Sequence, residues 1–553
     1  MSAHDIVVEA APRPRGLVIA ALCGTSFLVG MDNTILNVAL PTLSRELGAS
    51  TSVLQWIVDA YTLAFAVLLL TGGTLADRLG RKRVLVGGYL LFLLGGVVAA
   101  VAADSATLIA ARLIMGVGAA VMVPATLSTI ATICDTAASR ATTFTLWAAL
   151  NGAGVVVGPP LGGLLLGHFW WGSIFVVFSA AVVLGLIAVL ALVPVTRADQ
   201  VRAIDWLGTV TAALGCGALV FGLIEGPDRG WTAPGTLVAL IGAVVILAVF
   251  AVAQVRSRQP MLDRQLLGGP NVPIAMFGLG AVFLAMFGVL FLVTQYLQAV
   301  RGYSPLTAGL TFLPGAPAIA IGAKLGPMLR RSLGFGGILS AGLTIMLAGL
   351  VFGLTTGIGS SVAPTLVVLV IGGLGYGMVL SVGQDTVMGA LPPRRAGVGG
   401  AANTTVMQVG GSIGVAVIGT LADIGYRANL TLPQSLPAPL ADAARDSVGQ
   451  GVAVADHVGG SAGALLMRDV HLAFIDGYRA GLIAALAVVV VTLVAVLIQT
   501  ARSGGRSPDD RQLGADALDG ADALEGGVAP AGRMTTETNL EPMRSLINYA
   551  EES

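Results

Sequence analysis

Apolar runs of about twenty residues, separated by Gly, Pro and charged positions, recur through most of the chain. A helix that crosses a bilayer needs about 20 such residues at 1.5 Å rise each. Fourteen runs reach that length: 17–40, 52–76, 84–103, 107–131, 141–166, 173–194, 205–224, 234–255, 272–299, 305–328, 335–356, 362–390, 398–422 and 478–500. They predict an all-α polytopic membrane protein. Between the last two runs lies a polar segment, 424–476, and the chain closes on a Gly-, Asp- and Glu-rich tail, 503–553, expected to be disordered.

Composition agrees with this pattern. Hydrophobic residues make up 55% and charged residues 11% of the chain, and the mean hydropathy is +0.87; soluble domains carry about 25% charged residues. A formal net charge of zero gives no reason to expect a nucleic-acid partner. The three cysteines lie far apart without CxxC spacing and the four histidines form no cluster, so neither a metal nor a disulfide framework is expected. The first apolar run has no small-residue cleavage site and is expected to be retained.

Orientation follows from Lys and Arg in the short loops. With the N-terminus on the cytoplasmic side, inner segments hold 18 basic residues and short outer loops hold 3, namely Arg45, Arg229 and Arg301. Both ends are therefore expected in the cytoplasm of a cell-membrane protein, and 424–476 becomes an external loop. Lys324, near the inner end of its span, is placed to snorkel.

A faint repeat is present. "GTLADRLGRKR" (73–83) and "PMLRRSLG" (327–334) end comparable spans, with Gly80 and Gly334 separated by 254 residues; Gly154 and Gly158 match Gly410 and Gly414 at a separation of 256. One offset implies two six-helix halves with the 205–255 pair inserted between them, and transporters built from such repeats bind substrate between the halves. The expected segments are an N-terminal tail 1–16, a bundle 17–194, inserted helices 195–256 and a second bundle 257–502.

No ATP-binding loop is present, because Lys82 follows Arg81 and Lys324 follows Ala323 where a P-loop needs Gly-Lys-Ser/Thr. Active transport must then draw on an ion gradient or an outside subunit, and no cofactor is expected. Gly410-Gly411-Ser412-Ile413-Gly414 fits GxSxG, but that elbow belongs on a strand-to-helix turn. Inside a span, small residues for helix packing explain it better. No catalytic constellation stands out, and an enzyme is not expected.

The loop 72–83 carries more than positive charge. Anchoring by Arg78, Arg81, Lys82 and Arg83 needs neither Asp77 nor glycines at Gly73 and Gly80. A glycine permits close helix approach, and Asp77 can pair with an arginine or face a helix end. This loop resembles the signature loop of the major facilitator superfamily. "LIAARLIMGVGAA" (108–120), with Arg112 inside the fourth span, resembles the fourth-helix motif of that family. In "GAGVVVGPPLGG" (152–163), Gly154, Gly158 and Gly162 leave one helix face bare, beside Pro159 and Gly163. This is similar to the fifth-helix motif of drug:proton antiporters. "MDNTILNVALP" in the first span and "SVGQDTVMGALPP" (381–393) extend the likeness to the fourteen-helix antiporters, over the chain to about residue 500. The resemblance implies a major facilitator fold and export of amphipathic compounds against proton influx. Two departures stand out: Arg331 occupies the place of Asp77 in the second half, and "FWWGSIF" (169–175) lacks an arginine often found between aromatics there.

Depth assigns roles to the buried charges. Asp32 lies about eight residues from the outer end of its span, roughly 12 Å deep. Asp59 and Arg112, entering from the outer side, reach a similar level. An ionised residue in hydrocarbon faces the protein interior and pairs. A static Asp–Arg tie is the plain reading, but two carboxylates for one cation point to proton coupling: sharing Arg112 would keep one acid ionised and leave the other to exchange a proton. Asp32 ranks first and Asp59 second. Asp385, close to Arg394 and Arg395, reads as a cytoplasmic gate contact. Trp56, Tyr61 and Phe65 flank Asp59 and suit a cavity wall for lipophilic cations, with Asn33 nearby. Phe283, Phe287 and Phe291 form a helical stripe followed by Gln295; such stripes serve packing more often than ligands. The expected partners are protons, membrane lipids and small drug-like molecules, or one endogenous metabolite, lipid or antibiotic in a dedicated exporter, carried by a monomer.

Overall fold

The computed structural model describes residues 14–196, 203–257, 269, 271–390 and 396–502, and among these the chain is helical with no strand. One unit spans Met1–Thr500; of the second, Ala501–Ser553, only the last two residues of a helix are described. The tail 503–553, Arg394 and Arg395 lie outside the described residues.

The helices are α1 (Arg15–Ile35), α2 (Leu40–Glu46), α3 (Thr51–Leu79), α4 (Arg81–Ala100), α5 (Ser105–Ile133), α6 (Ala137–His168), α7 (Ser173–Leu192), α8 (Trp206–Arg229) and α9 (Pro234–Arg256). They continue as α10 (Val272–Gln295), α11 (Pro305–Thr311), α12 (Gly315–Gly353), α13 (Ala363–Val367), α14 (Gly373–Gly389), α15 (Ala396–Asn429), α16 (Ala438–Asp446), α17 (Val448–Val458) and α18 (Gly460–Arg502). Several starts are set by side chains that cap the open helix end. Asp104, Thr136 and Asp205 each accept the amide of the residue three positions on. The Thr107 amide and hydroxyl hold the Asp104 carboxyl below the usual carboxylate range.

Among the described residues, thirteen helical stretches are long and apolar enough to cross a membrane. One of them, Pro305–Gly353, has 49 residues and contains both predicted runs 305–328 and 335–356. At 1.5 Å per residue it measures about 74 Å, more than twice a hydrocarbon core of about 30 Å. It is interrupted at Gly334, where φ is 69°. Segment 424–476 is largely ordered: α15 extends to Asn429, α16 and α17 follow, and α18 begins at Gly460.

Glycine-lined crossings hold the halves together internally, as expected where lipid offers no hydrophobic drive and close backbone approach supplies the attraction. In the first half α6 lies on α1, and a Cβ at Gly154 or Gly158 would run into the backbone of Phe27 or Met31. In the second half α15 lies on α10, and a Cβ at Gly410 or Gly414 would meet the carbonyls of Gly280 and Leu284. The repeat seen in sequence is thus one packing device used twice. Gly80 and Gly334 match in the same way: φ is 96° and 69°, a region that favours glycine.

The inserted α8 and α9 pack on each other, tied by the Gln254 amide donating to Asp205 at 2.8 Å. Helix α8 also touches both halves. Thr71 of α3 bonds Thr209 at 2.7 Å, and Thr420 of α15 donates to the Leu223 carbonyl at 2.9 Å.

Candidate functional site

Helix α1 carries Asp32 and α5 carries Arg112 into the interior of the first half. Arg112 Nη1 lies 2.8 Å from both Asp32 carboxylate oxygens, and both side chains are 2% exposed. Arg112 Nε donates to the Ile57 carbonyl at 3.3 Å, and its guanidinium lies 4.4 Å from the centre of the Tyr61 ring. Such a pair repays its desolvation only when geometry and added hydrogen bonds are good. Here the carbonyl and the aromatic face supply those additions.

Asp59 is not part of that pair. Its position is fully buried, Oδ1 accepts from Thr62 Oγ1 at 3.3 Å, and Oδ2 has no partner. The carboxylate faces Ser412 of α15, across the junction between the halves. The expectation that Asp32 and Asp59 share Arg112 is therefore corrected. The reason is helical geometry: residues two apart point to different faces. Tyr61 occupies the face beneath Arg112, so Asp59 turns toward the second half.

The aromatic candidates also divide. Tyr61 packs against Phe65 and Phe92, and Phe92 against Phe178, deep within the first half. Trp56 donates to Glu225 at 3.0 Å and lies 6.2 Å from Phe221, so it faces the inserted helix. Phe291 is fully buried, and Gln295 bonds back to the Phe291 carbonyl. Trp56, Tyr61 and Phe65 are thus taken up by packing, whereas Phe291 and Gln295 line a small pocket with Asp423 and Tyr426. Phe287 remains available: it stacks on Phe283 at 5.5 Å, and Phe283 leans on Tyr376 at 5.5 Å. Asn33 accepts from Gln408 at 3.3 Å, a polar bridge from α1 to α15.

Gln408 is a polar residue that sequence reading passed over, and Ser412 was read there only as a small packing residue. Gly410 and Gly414 are spent on helix packing, but Ser412 between them carries a buried hydroxyl opposite Asp59. Both residues interrupt an apolar stretch at mid-span, which was the available signal.

Loop 72–83 is anchored within its own half. Arg81 lies 3.4 Å from Asp77, reaches Thr132 of α5 and bonds the Thr196 carbonyl through its amide, while Lys82 donates to the Leu190 carbonyl at 2.8 Å. Gly73 brings α3 against Pro124. Arg78 and Asp385 are exposed, and among the described residues no ion pair joins Asp77 or Asp385 to the opposite half. The fifth-helix motif does touch the other half. A Cβ at Gly163 would meet Pro305, and one at Gly309 of α11 would meet the Pro159 carbonyl, while Gly162 faces Ile35.

Two glycine-packed helical halves around a polar junction define a membrane transporter of the two-bundle type. A profile of the Major Facilitator Superfamily matches residues 22–415, and the chain belongs to that superfamily. It is 34% identical over 482 residues to the multidrug resistance protein Stp of Mycobacterium tuberculosis, covering 85% of this chain and 89% of that one. The multidrug efflux pump LfrA of Mycolicibacterium smegmatis is 31% identical, with 84% and 92% covered. Among solved structures, an inward-facing bacterial homologue of the human lysosomal transporter Spinster superposes with a TM-score of 0.60 at 18% identity, covering 88% of this chain and 97% of that one; this likeness concerns the fold.

Proposed function

We propose that this protein is a proton-driven exporter of amphipathic, cationic drug-like compounds that works by alternating access, with both termini in the cytoplasm. The multidrug names of Stp and LfrA support a broad substrate range over a single dedicated one. The observation that carries the coupling is the contrast between two buried acids. Asp32 is neutralised by Arg112, whereas Asp59, among the described residues, forms no ion pair and faces only the hydroxyls of Thr62 and Ser412 at the junction that must open and close. An unpaired buried carboxylate is stable in that place only when it takes up a proton. Asp59 therefore exchanges the proton, and the Asp32–Arg112 pair fixes the position of α3 through Tyr61 and Ile57. This reverses the order suggested by sequence depth.

The substrate contacts on this reading are Asn33 and Gln408, with Phe287, Phe283 and Tyr376 supplying aromatic surface. Binding a cation and binding a proton near Asp59 would then exclude one another, which is what an antiporter needs. The test uses everted vesicles loaded with a fluorescent cationic dye under an imposed pH gradient. Asp59→Asn should abolish gradient-driven dye transport while dye still binds. Undiminished transport by Asp59→Asn would overturn the assignment, and absence of any gradient-driven transport by the unaltered protein across a panel of cationic dyes would overturn the exporter reading.

A further inference from the structure

At the end of the molecule opposite loop 72–83, the two halves meet through a charged group on the inserted helix. Asp228, two residues before the positive-φ Gly230 that ends α8, uses both oxygens. Oδ1 lies 2.6 Å from Arg427 Nη2 on α15, and Oδ2 accepts from Ser52 Oγ on α3 at 2.5 Å. One carboxylate on α8 therefore holds a residue from each half. Arg427 also reaches Asp423, one turn back on its own helix, at 2.7 Å. Around this centre Glu225 receives Trp56 of α3 and pairs with Arg229, and Thr51 donates to the Asp446 carbonyl. Beneath it, Val220 and Ile224 of α8 close on Ala416 of α15 with Trp56 and Leu63 of α3 packed alongside.

We propose that Asp228 and Arg427 form a releasable clasp, so that the inserted helix pair is a working part of the gate opposite loop 72–83 rather than a passive link between the halves. The inference rests on the alternating-access reading, since a clasp matters only if this end opens.

Exposure decides between a clasp and a permanent tie. The Asp228 and Arg427 side chains are 32% and 25% exposed, so water can solvate each when they separate. Asp423 is 2% exposed and cannot be left alone. Arg427 sits one helical turn from Asp423 on the same helix, so it keeps that partner whether the ends are closed or open. Only the α8-to-α15 bond is broken on opening. Among the described residues it is the one ion pair between the inserted helices and either half. Other ties across this end are hydrogen bonds, among them those from Gln55 to the Val415 and Ala416 carbonyls, between Ser44 and Ser447, and from Thr420 of α15 to the Leu223 carbonyl of α8.

The test places a reporter thiol, Ala416→Cys, in the full-length chain with Cys23, Cys134 and Cys216 replaced by Ser. Ala416 is fully buried under the clasp and becomes reachable only when α15 leaves α8. A membrane-impermeant maleimide is applied to intact cells, and dye export is followed in parallel. Asp228→Asn should raise labelling about fivefold, the shift expected for one partly exposed ion pair, and lower maximal export with little change in the dye concentration for half-maximal rate. Asp228→Glu should restore both. Because Arg427→Gln strands Asp423, the companion variant is Arg427→Gln with Asp423→Asn, which should label like Asp228→Asn. Labelling unchanged in both Asp228→Asn and the companion variant overturns the clasp, whatever happens to export. Clasp-dependent labelling in a protein that exports no dye would overturn the exporter reading and leave the clasp standing.

Discussion

The two halves share a backbone plan and differ in what they bury. Gly154 and Gly158 do for α1 and α6 what Gly410 and Gly414 do for α10 and α15, and Gly80 and Gly334 turn the chain at matching places. The charges are not repeated. Moved by the repeat offset of 254 to 256 residues, Asp32 falls on Met286–Gly288, Asp59 on Leu313–Gly315 and Arg112 on Leu366–Val368, all apolar. Shape is therefore duplicated while the buried Asp32–Arg112 pair and Asp59 are not. The physical reason is cost. A glycine crossing is cheap to copy, whereas each buried charge needs its own partner and hydrogen bonds.

Four tests sharpen or break that comparison. The largest effect belongs to Arg112→Gln, which strands Asp32 and should cost about 3–5 kcal/mol of stability. Adding Asp32→Asn to it should recover much of the loss. Thermal unfolding in detergent reads both, and an unperturbed Arg112→Gln protein would mean that the buried pair carries no weight.

Next come Gly158→Leu and Gly414→Leu, made separately. Each forces a side chain against a neighbouring helix backbone, at a cost of about 3 kcal/mol, the upper end for overpacking. Equal losses of folded yield in the two halves support the duplicated crossing, and a large loss in only one half contradicts it. Gly80→Ala and Gly334→Ala should each cost about 2 kcal/mol, because the new Cβ meets a backbone conformation that favours glycine. The same unfolding assay tests whether the two turns are equivalent.

The smallest effect is expected for Asp77→Asn. Its carboxylate is 38% exposed and pairs within its own loop, so removal should cost under about 1 kcal/mol in stability. Export should fall severalfold with expression intact if the loop also latches the inner side. Full turnover in everted vesicles would remove the latch from the mechanism.

Much of the fold was legible before any coordinates. Long apolar runs have few structural options in a bilayer, because every backbone polar group must be satisfied within its own segment. The predicted runs reappear as helices, with 305–328 and 335–356 joined across Gly334. The repeat was also legible, since glycine spacing reports helix crossings directly. Depth along a helix follows from residue count, so Asp32, Asp59 and Arg112 were placed at one level, although the sharing of Arg112 was not what the structure holds.

What the sequence could not supply was direction around each helix. Depth placed Asp59 level with Arg112, but only the packing of Tyr61 beneath the guanidinium shows that Asp59 faces α15 instead. The same ambiguity sent Trp56, Tyr61 and Phe65 to a cavity wall when they are taken up by packing, hid Gln408 inside an apolar span, and left Ser412 read only as a packing residue. Asp423 lies one residue beyond a predicted span end, yet it is buried beside Arg427. Rise per residue is a local property, so the sequence by itself determined spans, levels and repeat. Which faces meet depends on how distant helices rotate and cross, and only the tertiary structure decided that Asp59 belongs to the junction and Asp228 to both halves.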